Sequence, residues 1–368
     1  MKVAILTFHR AYNCGAMLQA WALQTVLERK GCEVIFPDCN EVGEWHKLRI
    51  NKRDGILHGI LLWLWRNMLY RGLPAMCQNR FGRFLNKCMK HGNLTKEEWA
   101  KLDLVVVGSD QVWNEKCAGK DAPMFLGSGV PASVTLVGYD ISVGDKPLEE
   151  SCRVKLQEAG RTRFRRLSWR ESSLRDALEL PGPVVCDPTM LLAREDYRRI
   201  EHPSRLVKGR YLFVYAVSNG DEVVAVARKV AKELSLTCVS ANVYREDFLR
   251  TSDPNIWALT PDKFLAYIRD AAAVVVSSFH GCVFSVLYGK PFVCLFGDKT
   301  GDNDAQGRQQ NLLRGMGLID RRMSTHTPIA EIVDKISSDY AVDMRNDALR
   351  TSSYDYIEEM LDVAKGRV

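Results

Sequence analysis

Short apolar runs alternate with amphipathic segments along most of the chain, beginning with KVAILTF at residues 2–8. In AMLQAWALQTVLERKG, apolar residues recur at three- and four-residue spacing, basic residues close the last turn and Gly31 follows, so this segment predicts a helix. The first half predicts strands at Lys2–Phe8, Glu33–Asp38, Leu104–Gly108, Ser133–Ile141, Arg166–Arg170 and Pro183–Cys186. Helices are predicted between them at Cys14–Arg29, Leu148–Glu158 and Glu171–Leu178.

The first alternation ends near Asp187 and Pro188, and a second one follows. Its strands are predicted at Arg210–Val217, near Thr237, and at Ala273–Ser277 and Pro291–Phe296. Its helices are predicted at Asp221–Leu234, Pro261–Ala271, Cys282–Tyr288, Arg308–Met316 and Thr327–Ser337. A last helix, Tyr354–Lys365, could cross back to the first domain.

Alternating strands and helices predict an α/β fold with two Rossmann-like, doubly wound domains that face a cleft. We expect an N-terminal domain over residues 1–188 on the acceptor side, with a basic, apolar insertion at about 46–100. A C-terminal domain over 189–340 would form the donor side, and 341–368 would hold the returning helix. Ligands of such sheets bind beyond the carboxyl ends of the strands.

The chain has 368 residues and a formal net charge of +6, and 46% of its residues are hydrophobic, which excludes a disordered or fibrous protein. Its charge is uneven, because residues 46–90 carry ten basic residues against one acid and the remainder sums to −3. The apolar run Gly55–Trp65 within this segment is too short to span a bilayer. Two interpretations stay open: a helix in the headgroup plane of an anionic membrane, or an insertion packed on the protein body.

Cysteine usage indicates the compartment. The eleven cysteines are scattered and contain no C-x-x-C pair, as is typical of reduced thiols. MKVAILTF has the pattern of a buried strand rather than of a signal peptide. We therefore expect a cytoplasmic protein that could lie on the inner face of the membrane.

Polar residues follow the first strand and the third. After the first strand come His9, Asn13 and Gly15, where Asn13 can cap the next helix and Gly15 would let an anion approach its amides. An ordinary capped helix explains this turn equally well. After the strand LVVVG come side chains suited to a hydroxyl-rich ligand such as a sugar, with a ring for stacking: Asp110, Gln111, Trp113 and Asn114.

Candidate chemistry in the rest of the chain centres on Arg170 and His280. Arg170 ends its predicted strand, where its guanidinium could bind a carboxylate or phosphate through two hydrogen bonds. His280 lies in SSFHG between a buried strand and a helix start, which favours a neutral imidazole poised for proton transfer. Arg308 begins a later predicted helix, from which its guanidinium could bind an anion. No further ligands accompany Cys282, so we expect no metal, and no feature indicates nucleic-acid binding.

With these residues in view, the chain resembles the polysaccharide pyruvyl transferase family. The matching pieces occur in the family's order between about Val3 and Arg321: ILTFHRAYNCGAMLQAWALQ, DLVVVGSDQVWN, SWRESS, VCDPTMLL, SSFHGCVFSVLYGKPFV and GRQQNLLRGMGL. The resemblance implies two domains arranged as in GT-B glycosyltransferases. It also implies transfer of pyruvyl from phosphoenolpyruvate to a sugar of a surface polysaccharide or its lipid-linked precursor, as a cyclic ketal.

By this resemblance, His280 and Arg170 match the family's donor-site histidine and arginine, and His280 is the expected catalytic residue. We expect the donor to be bound by Arg170, Ser278, Gly281, Asn13, Gly15 and Arg308. We expect the acceptor glycan to be bound by His9, Asp110, Gln111, Trp113 and Asn114. The chain departs from the family at Cys14, where a tyrosine is usual, so a side-chain role there is in doubt.

Two alternatives remain at this point. One is a GT-B glycosyltransferase that uses a sugar nucleotide, although no convincing acidic or aromatic pocket for the base and ribose is evident. The other is a non-catalytic protein that binds sugar or a membrane, favoured mainly by the basic segment. The pyruvyl transferase reaction itself requires no cofactor beyond its donor.

Overall fold

The computed structural model describes residues 1–38, 72–144, 148–217, 220–242, 259–297, 307–342 and 348–366. Within these ranges the strands are β1 (Lys2–Leu6), β2 (Glu33–Pro37), β3 (His91–Gly92), β4 (Leu104–Asp110), β5 (Thr135–Ile141), β6 (Arg166–Trp169), β7 (Tyr211–Ala216), β8 (Thr237–Asn242), β9 (Ala273–Val276), β10 (Phe292–Phe296) and β11 (Arg322–Ser324). The strands form two parallel sheets.

The helices cover the faces of these sheets. In chain order they are α1 (Cys14–Arg29), α2 (Gly72–Cys88), α3 (Lys96–Ala100), α4 (Glu115–Ala118), α5 (Ala122–Phe125), α6 (Glu150–Thr162), α7 (Ser172–Leu178), α8 (Arg194–Tyr197), α9 (Gly220–Glu233), α10 (Pro261–Asp270), α11 (Phe279–Leu287), α12 (Gly307–Gly315), α13 (Ile329–Ser337) and α14 (Ala348–Ala364).

The first sheet has the strand order β3-β2-β1-β4-β5-β6. Its central strands are continuous apolar runs because helices cover both faces; Ile5 and Val106, for example, are fully buried. The strand order reverses between β1 and β4, and a crevice forms there at the carboxyl ends of the strands. The first domain is therefore a doubly wound sheet, as the alternation predicts.

The second sheet has the order β11-β10-β9-β7-β8 and reverses between β7 and β9. Helix α11 follows β9 directly, so the residues of the turn between them stand at this second switch point. Phe213 and Val275 in the central strands are fully buried. Both domains therefore direct the loops that follow their central strands toward a ligand-binding edge.

Helix α14 belongs to the end of the chain but packs on the first domain. Tyr356 donates its hydroxyl hydrogen to the Gly138 carbonyl oxygen at 2.7 Å. The Cys186 amide donates to Ser353 Oγ at 2.8 Å. Because both contacts are buried, this helix packs firmly on the first sheet and on the segment that leaves the first domain.

Several predicted elements differ from the structure: the last helix begins at Ala348 rather than at Tyr354, and two further differences lie beside the cleft. Residues 183–186 were expected to form a strand, but they make a single parallel bridge between Val184 and Trp169. Helix α11 starts at Phe279 rather than at Cys282, because Ser278 caps it and the polar turn is shorter than the pattern indicates. His280 therefore lies inside the first helical turn.

The basic segment is described only from residue 72 onward, and residues 46–71 with the run Gly55–Trp65 lie outside the described part of the chain. In α2, the side chains of Phe81, Phe84 and Leu85 are buried in the core beside α1. These three apolar side chains therefore stabilise the protein body. Among the described residues, no helix combines the length and apolar character needed to cross a bilayer.

Candidate active site

The carboxyl ends of β4, β5 and β6 converge on the guanidinium of Arg170. Arg170 donates from Nε to Asp140 Oδ2 at 3.0 Å, and from Nη2 to Ser109 Oγ and to Asp187 Oδ2, both at 2.6 Å. Its Nη1 lies 3.5 Å from Asp110 Oδ1. The side chain of Arg170 is 4% exposed, and those of Asp140 and Asp187 are fully buried. One cation thus joins three carboxylates at the edge of the sheet.

Two of these carboxylates sit on strained backbone. Asp110 ends β4 and Asp140 is the next-to-last residue of β5, with φ values of +81° and +52°, in the left-handed region that is costly for residues other than glycine. Such conformations persist where surrounding contacts determine them, and here both residues carry a carboxylate within ion-pair distance of Arg170. Strain of this kind is concentrated at functional sites.

Burial and the Arg170 charge shift the pKa values of these acids in different directions. Burial alone would raise the pKa of Asp187, but the adjacent Arg170 holds it well below its usual range. At Asp140 the effect of burial exceeds that of the Arg170 charge, and the pKa rises to about 6. Burial likewise raises the pKa of Glu171, the residue after Arg170, to about 7. Asp187 therefore stays ionised, whereas the pKa values of Asp140 and Glu171 are raised toward neutral pH.

The second domain contributes His280 to this cluster. Ser278 Oγ caps α11 by accepting from the Gly281 amide at 2.9 Å, and this cap fixes the turn that carries His280. The His280 Nε2 atom lies 3.4 Å from Asp187 Oδ2, and the Phe279 ring lies beneath the Arg170 guanidinium at 5.3 Å. The predicted residues Arg170 and His280 are therefore neighbours across the two domains.

Ser278 and Gly281 have structural roles at the start of α11, and their contact with the donor stays a prediction. Ser278 is 8% exposed, and its hydroxyl oxygen accepts the hydrogen bond from the Gly281 amide that caps α11. A Cβ at Gly281 would come within 2.7 Å of Ser278 Oγ and 2.8 Å of a Val276 methyl group. Gly281 is therefore required for close packing of α11 on β9.

The expected anion site at Asn13 and Gly15 is occupied by protein. Asn13 Oδ1 accepts from the Gly15 amide at 2.9 Å and from the Ala16 amide at 3.2 Å, so these amides are already satisfied. The space above Gly15 contains the His280 ring, since a Cβ at Gly15 would lie 2.1 Å from His280 Nδ1. Gly15 thus makes room for an imidazole of the other domain instead of a ligand. Cys14 is also a domain contact, and its Sγ donates to the Leu259 carbonyl oxygen at 3.2 Å.

A second contact across the cleft joins Arg308 to the loop after β4. With its amide oxygen oriented toward Arg308, Gln111 accepts from both terminal guanidinium nitrogens at 2.7 and 2.9 Å. Arg308 Nη1 also lies 4.0 Å from Asp110 Oδ1, and both side chains are partly exposed. The structure therefore brings Asp110, Gln111 and Arg308 together beside Arg170.

Two predicted acceptor residues are core residues. Trp113 is 2% exposed, donates from Nε1 to the Phe125 carbonyl oxygen at 3.1 Å and packs edge-on against Trp169, so it offers no face to a sugar. His9 is fully buried beside Phe36, and burial lowers its pKa to about 4. Their burial follows from helices and strands that pack over them from distant parts of the chain. Asn114 remains at the surface, where its Oδ1 accepts from the Lys116 amide at 3.1 Å and caps α4.

Sequence reasoning missed three acids of the site: Asp140, Asp187 and Glu171. Asp140 lies inside a predicted strand, and Asp187 lies in an Asp-Pro pair at the predicted domain boundary. The signal is positional for Asp140, at the carboxyl end of β5, and for Glu171, just beyond β6, whereas Asp187 follows only the bridge at Val184. Among the described residues, no group of three or more His, Cys, Asp or Glu side chains has the arrangement of a metal site.

Comparison with known proteins places this geometry in context. The model of the polysaccharide pyruvyl transferase family matches residues 13–295. No curated protein matches the chain.

Solved structures show the same two-domain fold. The UDP-GlcNAc 2-epimerase of Methanocaldococcus jannaschii has 11% identity and a TM-score of 0.51 over 98% of this chain and 100% of that one. A putative UDP-N-acetylglucosamine 2-epimerase of Listeria monocytogenes has 10% identity and a TM-score of 0.53, with 99% and 96% covered. AviGT4, a glycosyltransferase of avilamycin A biosynthesis, has 12% identity and a TM-score of 0.51, with 100% and 98% covered. The fold is therefore of the GT-B type.

Proposed function

Because the chain belongs to the polysaccharide pyruvyl transferase family, we propose that it transfers pyruvyl from phosphoenolpyruvate to a sugar, forming a cyclic ketal on two hydroxyls. The acceptor would be a cell-surface polysaccharide or its lipid-linked precursor. Support comes chiefly from one contact, in which His280 of the second domain meets the Arg170 and Asp187 pair of the first. A proton-transfer group thus stands next to fixed positive charge in the cleft.

Phosphoenolpyruvate carries a carboxylate and a phosphate, so its site must supply cations. Most donors of Arg170 are engaged by Asp140, Asp187 and Ser109, but Nη1 has no hydrogen-bond partner among the described residues. Arg308 adds a second guanidinium across the cleft. We assign the donor anion to Arg308, with the buried guanidinium of Arg170 adding positive charge beside it.

The reaction needs an acid and a base. A proton adds to the terminal carbon of the enol, and the first sugar hydroxyl forms a C–O bond to C2 as it loses its own proton. The second hydroxyl then displaces phosphate from C2, and its proton leaves with the phosphate. His280 is the group we assign to the proton transfers, since an imidazole accepts and donates near neutral pH.

The acceptor side would use the loop after β4. Asp110, Gln111 and Asn114 are partly exposed there, and they offer carboxylate and amide groups to sugar hydroxyls. Neither Trp113 nor His9 belongs to this surface, because both are buried. Acceptor recognition would therefore depend on hydrogen bonds from this loop and from other loops around the cleft.

The test uses the full-length protein, phosphoenolpyruvate and a panel of free and lipid-linked glycosides. We expect phosphate release that depends on the acceptor, together with a product from which mild acid liberates pyruvate. His280→Ala should abolish turnover, with acceptor binding retained. Absence of both phosphate and ketal across the panel would contradict the proposal. Protection against heating by a nucleoside diphosphate but not by phosphoenolpyruvate would favour a sugar-nucleotide glycosyltransferase instead.

We also propose that the basic segment at residues 46–90 brings the enzyme to an anionic membrane when the acceptor is lipid-linked. Each basic residue near such a surface contributes about 1 kcal/mol. Vesicles with and without anionic lipid, floated at low and high salt, test this directly. Equal binding after deletion of residues 51–71 would show that this part of the segment has no such role.

A further inference from the structure

The two ring nitrogens of His280 have different surroundings. Nε2 is buried, lies 3.4 Å from Asp187 Oδ2 and has no hydrogen bond to any described residue. Gly15 of the first domain packs against the ring beside Nδ1, so closely that a Cβ there would lie 2.1 Å from Nδ1 and 2.4 Å from Cγ. Catalytic hydrogen bonds are often long without substrate and tighten when it binds. Nε2 is therefore the ring nitrogen that can donate a hydrogen bond to Asp187.

Asp187 itself is rigidly held. Its Oδ1 accepts from the Thr189 amide at 2.9 Å and from Thr189 Oγ1 at 2.6 Å, and its Oδ2 accepts from Arg170 Nη2 at 2.6 Å. The carboxylate is fully buried and, next to Arg170, stays ionised. Both oxygens therefore have fixed positions, and Oδ2 presents an acceptor to the imidazole.

We propose that Asp187 is the positioning residue that sets the tautomer of His280. An ionised carboxylate can only accept a hydrogen bond, so the nitrogen that faces it must carry the proton. Neutral His280 is therefore held with its proton on Nε2, and Nδ1 keeps the lone pair that exchanges protons with the substrate. This inference depends on the proposed function for the substrate's identity, whereas the tautomer is a property of the protein alone.

The pairing also links catalysis to the arrangement of the domains. Arg170 lies in the first domain, Asp187 lies where the chain leaves that domain, and His280 lies in the second domain. The imidazole is therefore oriented only when the two strand-end edges are docked. A histidine fixed in this way loses much of its catalytic effect when its carboxylate is removed, even if its position is unchanged.

The principal test is Asp187→Asn. An amide nitrogen in place of Oδ2 donates, so Nε2 becomes the acceptor and the proton moves to Nδ1. We expect kcat for phosphate release to fall about 10²- to 10⁴-fold, while KM for phosphoenolpyruvate stays close to the wild-type value. In ¹⁵N-histidine-labelled protein, the His280 signals should change from protonated Nε2 to protonated Nδ1. His280→Gln identifies those signals by their loss.

Asp196→Asn is the matched control, because it also breaks an aspartate–arginine pair, with Arg29, away from the cleft. Its kcat and the tautomer of its His280 should be unchanged. Since Asp187→Asn removes a buried partner of Arg170, Thr189→Val serves as a second variant. It removes only the Oγ1 hydrogen bond and keeps the Thr189 amide on Oδ1. We expect about a tenfold loss of kcat because Asp187 is held less firmly, with the His280 proton still on Nε2 because the carboxylate can still only accept.

Wild-type protein with the proton on Nδ1 would overturn the inference. So would unchanged kcat in Asp187→Asn or, if that variant does not fold, in Thr189→Val. If the wild-type protein releases no phosphate with any acceptor, the proposed function fails. The NMR comparison then still decides whether Asp187 sets the tautomer.

Discussion

Gly15→Ala tests the contact that brings the two domains together at the site. The added Cβ would lie 2.1 Å from His280 Nδ1, 2.4 Å from Cγ and 2.8 Å from Cε1. Ordinary contact begins at 3.4 Å, so the ring or the domain that carries it must retreat by about 1.3 Å. Because all three close atoms belong to the imidazole, the added methyl group displaces the side chain that we propose for the proton transfers.

A displacement of about 1 Å costs roughly 100-fold in rate. We therefore expect kcat for phosphate release to fall about 100-fold in Gly15→Ala. Overpacking of this kind also lowers the free energy of unfolding by about 1–3 kcal/mol. The assay is acceptor-dependent phosphate release, paired with urea unfolding of the same preparations.

Gly82→Ala is the matched control, because Gly82 lies in helix α2 and a Cβ there meets nothing within 4 Å. Helix propensity alone should leave this variant as stable as the wild type or more so by up to about 1 kcal/mol. Wild-type kcat together with wild-type stability in Gly15→Ala would refute the assignment of Gly15 to the His280 contact.

Three further outcomes follow from the structure. Burial raises the Glu171 pKa from 4.5 to about 7, so the stability of the wild-type protein falls as pH rises through that range. In urea unfolding, Glu171→Gln should therefore be up to about 3 kcal/mol more stable than the wild type at pH 8 and almost equal to it at pH 4. The same gain at both pH values would contradict this. Tyr356→Phe removes the 2.7 Å hydrogen bond to the Gly138 carbonyl oxygen, which keeps a longer one of 3.3 Å from Ser168 Oγ, and should cost about 1 kcal/mol in the same assay. Trp113→Phe should lower stability by about 2 kcal/mol yet leave KM for the acceptor unchanged, whereas a large rise in KM would return Trp113 to the acceptor site.

The sequence by itself determines the architecture and the two side chains at its centre. Alternating periodicity is a local property, so it predicts both doubly wound sheets without knowledge of their packing. The carboxyl ends of parallel strands lie at one edge of a sheet, and this is why Arg170 and His280 could be selected from their places in the chain. Family resemblance selected the same two residues.

Only the tertiary structure decides what surrounds those side chains. It packs the His280 imidazole of the second domain against Gly15. It also buries Trp113 and surrounds Arg170 with carboxylates such as that of Asp187. Burial and charge pairing arise from residues far apart in the chain, and they change what a side chain can do without changing its identity. The local pattern therefore predicts where the chemistry lies, and the packing decides which atoms are available for it.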